Sequence, residues 1–325
     1  MSGDTLLTVR GLRTHFPTPA GTIKAVDGVD LMLKRGQILG LVGESGSGKS
    51  ITGFSLLGLV DPPGRIVEGT LDFKGEDLRA ASPDRLRALR GDRIAMIFQD
   101  PMMTLNPVLR IGTQMVETVL AHRKVSRADA RARSVEVLAK VGIPHPEERI
   151  DAYPHEFSGG MRQRVAIAIA LLHEPDLIIA DEPTTALDVT IQSQILAQVQ
   201  KLAAEMGMGL IWISHDLGVV AALADEIAVM YAGRIVERGT VDEVLDSPRH
   251  PYTQGLIAST PMANDRGRPL RQIPGSAPPP LGRPEGCPFR PRCPRATETC
   301  LVDPPETLVA ENRGWRCFHP LEGTP

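Results

Sequence analysis

The chain has 325 residues, 42% of them hydrophobic, and a formal net charge of −3. That is enough apolar content for a sizeable core, with no basic surplus of the kind nucleic-acid binders carry. Its longest apolar run, residues 165–172, is far too short to span a bilayer. Residues 1–10 lack the basic-then-apolar order of a signal peptide, which points to a cytoplasmic protein whose membrane role, if any, runs through protein contacts.

In chain order, Gln37-Ile38-Leu39-Gly40-Leu41-Val42 is a short apolar run ending beside glycines. It predicts a strand buried on both faces, as in a parallel sheet. A helix-like stretch, residues 51–59, follows after eight residues. Residues 93–98, 177–180 and 210–213 repeat the apolar-strand pattern, and residues 126–140, 161–173 and 192–206 predict helices. Strands alternating with helices give an α/β nucleotide-binding domain over residues 1–258, with a helical subdomain at about 101–157. Composition shifts near residue 259, and half of the 28 prolines lie beyond it. Residues 259–325 predict an irregular Pro- and Cys-rich extension, with 273–284 as an extended linker.

The eight residues after the first strand are Gly43-Glu44-Ser45-Gly46-Ser47-Gly48-Lys49-Ser50. They match G-x-x-x-x-G-K-[ST], a loop whose backbone N–H groups cradle phosphates at a helix N-terminus. Lys49 is placed to reach the β- and γ-phosphates of ATP, and the Ser50 hydroxyl to ligate Mg²⁺. The strand at 177–180 ends in Asp181 and Glu182. Asp181 is a Mg²⁺ ligand of the strand-end type, and Glu182 a base or orienting group for the attacking water. His215 follows the strand at 210–213 and is a candidate γ-phosphate contact. Gln99 follows the strand at 93–98 and is a candidate sensor of Mg²⁺ or water. Phe157-Ser158-Gly159-Gly160-Met161-Arg162-Gln163-Arg164 opens a helix that Ser158 can cap. Its N-terminus is a second phosphate-binding surface, more than one nucleotide needs, so two facing chains would each complete the other's site.

This set resembles the ATPase subunits of ABC transporters, in order and spacing, over about 250 residues. Residues 43–50 resemble the Walker A motif, and residues 177–181 with Glu182 the Walker B motif and catalytic glutamate. Gln99 resembles the Q-loop glutamine, Ser158-Gly159-Gly160 the signature, Thr185-Ala186-Leu187-Asp188 the D-loop and His215 the switch histidine. The signature departs at Phe157, where the family has Leu, and at Met161, where it has Gln. The adenine-stacking aromatic maps to Phe16, followed by an insertion-like segment, residues 17–23. Gln99-Asp100-Pro101-Met102, Leu105-Asn106-Pro107, His250-Pro251-Tyr252-Thr253 and Gly286-Cys287-Pro288-Phe289 narrow the resemblance to the oligopeptide/dipeptide importers. That resemblance implies a peripheral subunit at the cytoplasmic face of the inner membrane. Its implied partners are a second, different ATPase subunit, two membrane-spanning permeases and an external binding protein. Related systems carry nickel, glutathione or other small solutes. A soluble ABC ATPase acting on nucleic acid or ribosomes is the rival reading, and it lacks the expected coiled coils, tandem halves or basic patches.

All four cysteines, Cys287, Cys293, Cys300 and Cys317, lie in the extension, with His319 close to the last. In a cytoplasmic chain such clustering points to metal before disulfides. No gap is the C-x-x-C of a zinc knuckle, and four thiolates can hold either zinc or an iron–sulfur cluster. The family resemblance implies a [4Fe–4S] cluster, with a structural or subunit-docking role.

Overall fold

The computed structural model describes residues 4–185, 187–260, 264, 267, 269 and 271–322. The chain divides into two compact units: Met1–Ala80 with Trp212–Pro325, and Ala81–Ile211. The described residues of 259–325 belong to the first unit.

In the first unit, strands Thr5–Thr18 and Gly21–Lys34 form a long antiparallel hairpin. The second strand buries Val29, Leu31 and Leu33 between half-buried neighbours, the period-two pattern of a strand with one packed face. Residues 17–23, expected to be insertion-like after Phe16, are the two strand ends of the hairpin and the turn at 19–20 between them: Phe16 opposes Ile23 and Thr18 opposes Gly21. Strand Arg65–Phe73 pairs along the other side of Thr5–Thr18, followed by Glu76–Asp77. This antiparallel sheet lies outside the expected strands, which are runs apolar throughout, because its own strands alternate.

Five further strands of the unit line up as Thr307–Leu308, Gly314–Trp315, Arg234–Thr240, Glu226–Tyr231 and Ile38–Val42. The last pair is parallel, with Leu39 opposite Glu226 and Val42 opposite Val229. Ile38–Val42 is buried throughout, as its apolar run predicts. The extension is not wholly irregular, because its Gly314–Trp315 strand pairs with Arg234–Thr240, Trp315 facing Glu237. Below that pairing the Glu237 carboxylate is fully buried. It accepts hydrogen bonds from Arg313 Nη1 at 2.8 Å and from the N–H groups of Arg249 and His250 at 2.7 and 2.8 Å. A buried carboxylate is tolerable only with such partners.

In the second unit, strands Ile94–Ile97 and Leu177–Asp181 pair in parallel, Ile94 opposite Leu177. Helices Ile111–His122, Arg127–Lys140, Gly159–Leu171 and Val189–Met206 pack around them. Arg127–Lys140 starts where Ser126 accepts a hydrogen bond from Asp129 N–H, the N-cap that ends a neighbouring loop in the sequence. Among the described residues, 101–157 hold helices and no strand. Strand Gly209–Ser214 carries the chain from this unit into the first.

Candidate nucleotide site

The buried strand Ile38–Val42 delivers the chain straight into Gly43, and helix Lys49–Leu56 leaves on the other side. Gly48, at the helix N-cap, has φ 106°, the left-handed region that glycine alone enters freely. Lys49 is buried, and its ammonium folds back across the loop to donate to the carbonyls of Gly43 and Glu44 at 2.8 and 3.1 Å. Ser47 O accepts the Gly233 N–H at 2.7 Å, while the Ser47 hydroxyl is buried with no hydrogen-bond partner. An orphaned buried hydroxyl is a group that a bound oxyanion would satisfy. Ser45 and Gly46 are exposed at the loop's tip, and Ser50 is half-buried. Loop, buried ammonium and orphaned hydroxyl together fit a polyphosphate.

Glu44 belongs to the expected phosphate-binding loop, but the sequence assigns its carboxylate no partner. Its carboxylate takes a two-pronged grip from Arg292, at 2.6 Å from Nη1 and 3.0 Å from Nη2. Its backbone N–H donates to Tyr252 Oη at 2.9 Å. Nothing in the sequence points to Arg292, 248 positions away; Tyr252 stands out only within the motif His250-Pro251-Tyr252-Thr253. Phe16 is half-buried on the hairpin. Its ring lies so close to Gly64 that a methyl group there would meet ring carbons at 2.3 Å. His215 follows Gly209–Ser214 and is exposed, beside Asp216, which caps helix Leu217–Leu223.

In the second unit, Asp181 ends a strand buried along its whole length and is itself buried. Glu182 comes next at φ 45°, rare for a residue with a side chain, and its Oε2 accepts from Thr185 Oγ1 at 3.1 Å. Asp188 caps helix Val189–Met206, accepting from Ile191 N–H at 2.9 Å. Ala186, between them in the motif, lies outside the described residues. Gln99 is exposed, and Asp100 after it caps the short helix Pro101–Thr104. Ser158 caps Gly159–Leu171 by accepting from Met161 N–H at 3.3 Å, as its position predicts. Ser158 and Gly159 are exposed and Gly160 is half-buried, so this helix end opens outward.

The four cysteines are not in disulfides. All four line one cavity with His250, Phe289 and His319. Burial pushes the Cys287 and Cys293 thiols up, and Cys317 to about 11. His319 is turned to Thr297 Oγ1 and Thr299 Oγ1, at 2.6 and 3.2 Å. Among the described residues no three His, Cys, Asp or Glu side chains form a group that could hold a metal ion. The cysteines expected as metal ligands are thus gathered, but not drawn into a ready donor set.

Residues 26–185 match the ABC transporter family model, and residues 236–300 the model of the oligopeptide/dipeptide transporter C-terminal region. The oligopeptide transport ATP-binding protein OppD of Salmonella typhimurium is 47% identical over 98% of this chain and 95% of its own length. The dipeptide transport ATP-binding protein DppD of Escherichia coli is 45% identical over 98% and 97%. A putative peptide import ATP-binding protein of Brucella ovis is 49% identical over 98% of each. The chain belongs to the ABC transporter ATP-binding family. It is an ABC-type ATPase, with a tail of the oligopeptide/dipeptide type. The fold agrees: a post-hydrolysis dimer of the ATP-binding cassette MJ0796 with ADP and Pi superimposes with TM-score 0.66 and 26% identity, covering 73% of this chain and 99% of that one. Among the described residues no helix of the cassette is long and apolar enough to cross a membrane.

Proposed function

We propose that this ATPase powers peptide uptake, as the peripheral subunit on the cytoplasmic face of a membrane importer. The observation that carries this reading is similarity to peptide-transport subunits over 98% of the chain, the tail included. In the site, the backbone of residues 43–48 and the Lys49 ammonium hold the phosphates. Ser50 and Asp181 would hold Mg²⁺, with Gln99 sensing it; the ion neutralises phosphate charge when bound. Glu182 orients or deprotonates the attacking water, and His215 contacts the γ-phosphate. Phe16 offers a ring to the adenine. Ser158, Gly159, Gly160 and Asp188 serve the nucleotide of a second ATPase subunit, for which the outward-opening helix end is suited.

Beyond Gln99, the loop carries Met103 at 73% exposure and Val108 at 76%. Exposed apolar side chains of this kind, Met above all, suit an adaptable contact, here with one of two permease subunits fed by an external binding protein. The tail cysteines hold a [4Fe–4S] cluster. Four thiols around one cavity support it. Iron and acid-labile sulfide in anaerobically purified protein test this; about four irons per chain are expected, and one zinc instead overturns it.

The functional test is uptake into vesicles holding the complete importer with ATP inside. Labelled di- and oligopeptides should accumulate with the wild-type subunit and not with Lys49→Ala. Accumulation of nickel or glutathione, with none of peptide, would overturn the cargo.

A further inference from the structure

Arg292 lies in the extension, on the turn Arg290–Arg292, between Cys287 and Cys293. Its side chain is 5% exposed. A guanidinium carries five N–H donors, and here five bonds occupy them. Two go to Glu44, and the others to Tyr231 Oη at 3.3 Å, Ile273 O at 3.5 Å and Pro274 O at 2.8 Å. Tyr231, Tyr252 and Phe289 pack against one another with ring centroids 4.5 to 5.4 Å apart, and Arg292 lies 5.9 Å from the centres of Tyr231 and Phe289. The same cluster supplies the Tyr252 hydroxyl that accepts the Glu44 N–H.

Burying a guanidinium costs more than its ion pair commonly returns, so stability alone is a weak reason for the arrangement. Nor does the tail depend on it for anchorage, since Arg313 on buried Glu237 and the Gly314–Trp315 strand pairing already tie it down. What the pair does control is a carboxylate inside a loop that takes polyanions. An uncompensated Glu44 would oppose phosphate charge at close range.

We propose that Arg292 is a positioning residue of the nucleotide site, cancelling the Glu44 charge and fixing the first turn of the phosphate loop. This rests on the reading of residues 43–50 as that loop. The C-terminal extension thereby becomes part of the apparatus that binds ATP.

The test uses the full-length chain and equilibrium ATP binding, with thermal melting to verify folding. Arg292→Gln should weaken ATP binding roughly tenfold or more, a change of about 1.4 kcal/mol. Adding Glu44→Gln to Arg292→Gln should restore affinity to within about threefold, because the unpaired carboxylate is gone. A residue that merely held the fold together would not be rescued by deleting its partner's charge. Arg292→Lys keeps the charge without the two-pronged grip, and should weaken binding by a smaller factor, so it serves if Arg292→Gln does not fold. Wild-type affinity in a folded Arg292 variant, or no rescue in the double variant, overturns the proposal. Lys49→Ala separates the two readings: its binding must collapse if residues 43–50 hold phosphate. Collapse there with unchanged Arg292 variants overturns the positioning role alone, and wild-type binding by Lys49→Ala overturns both.

Discussion

Glu182 is held at φ 45°, a conformation that costs a residue with a Cβ roughly 1–3 kcal/mol and persists only where the surroundings enforce it. The enforcing element is the strand before it, buried to its last residue, Asp181. Replacing Glu182 with Gln keeps the turn and removes the carboxylate. Hydrolysis should fall about 100-fold or more, the scale of a lost general base, with ATP affinity unchanged; steady-state phosphate release decides it, the partner subunit's site being disabled in the same assay. Glu182→Gly should be as inactive yet melt at a higher temperature than Glu182→Gln, since glycine enters the left-handed region freely. A second single-residue effect concerns His173, whose Nε2 faces Thr118 O at 3.0 Å. Burial lowers its pKa, with His122 and Arg123 pushing the same way, while Asp92 and the Thr118 contact oppose. The unfolded chain therefore takes up the proton first. Stability from this group is full above ~6.5, the free imidazole value, and is lost as pH falls from there toward the lower folded value. His173→Gln, which can still donate to Thr118 O, should flatten the decline of Tm between about pH 7 and 5; an unchanged slope removes His173 as its source. Residue chemistry was legible where it is local: Lys49, Asp181 and Ser158 each announce themselves beside the element that positions them. Arg292 was not, because its meaning comes from a partner 248 positions away and an arginine among prolines has no period or spacing to mark it.

At the scale of elements, helix Gly159–Leu171 makes two adjacent glycines unequal. A side-chain carbon at Gly160 would meet Ile191 at 2.6 Å, whereas at Gly159 the nearest neighbour, Leu187, is 3.8 Å off. Gly160→Ala should therefore destabilise the protein by about 1–3 kcal/mol, the range of overpacked sites, as read by denaturant melts. Gly159→Asp should melt like wild type and bind ATP normally as an isolated subunit, yet fail to form the ATP-bound pair in sedimentation. Loss of ATP affinity in the isolated subunit would count against the two-chain site. The elements themselves were read unevenly. Strands buried on both faces, such as Ile38–Val42 and Leu177–Asp181, are continuous apolar runs and were found to within a residue or so. The hairpin Thr5–Thr18 and Gly21–Lys34 shows one face only, so its polar alternate residues, Asp30 and Lys34 among them, hid it. Gly314–Trp315 is two residues long and borrows its strand character from Arg234–Thr240, a neighbour that no local pattern reveals.

For the whole molecule, the decisive feature is that one compact unit is made of the chain's two ends, Met1–Ala80 and Trp212–Pro325. A protein ending at residue 258 keeps every hydrolytic motif but strips Arg313 from buried Glu237 and bares the edge of Arg234–Thr240. An unpaired buried carboxylate and an open strand edge are both liabilities. Such a truncation should lower Tm and aggregate on sedimentation, and a monodisperse product with native melting would contradict this account of the tail. The same discontinuity governs the order in which a ribosome can deliver the fold. At about 5–20 residues per second, the strand Ile38–Val42 is made well before its partner Glu226–Tyr231, the Ile38 N–H waiting 187 positions for the Asp225 carboxylate. Glu44 waits longer still, until Arg292 has been synthesised and released from the exit tunnel. The intervening Ala81–Ile211 is contiguous and is free to fold first. The loop after Ile38–Val42 thus gains its Arg292 contact only after all of Ala81–Ile211 has been made, so the contiguous unit can be complete while the discontinuous one still waits for its far segment.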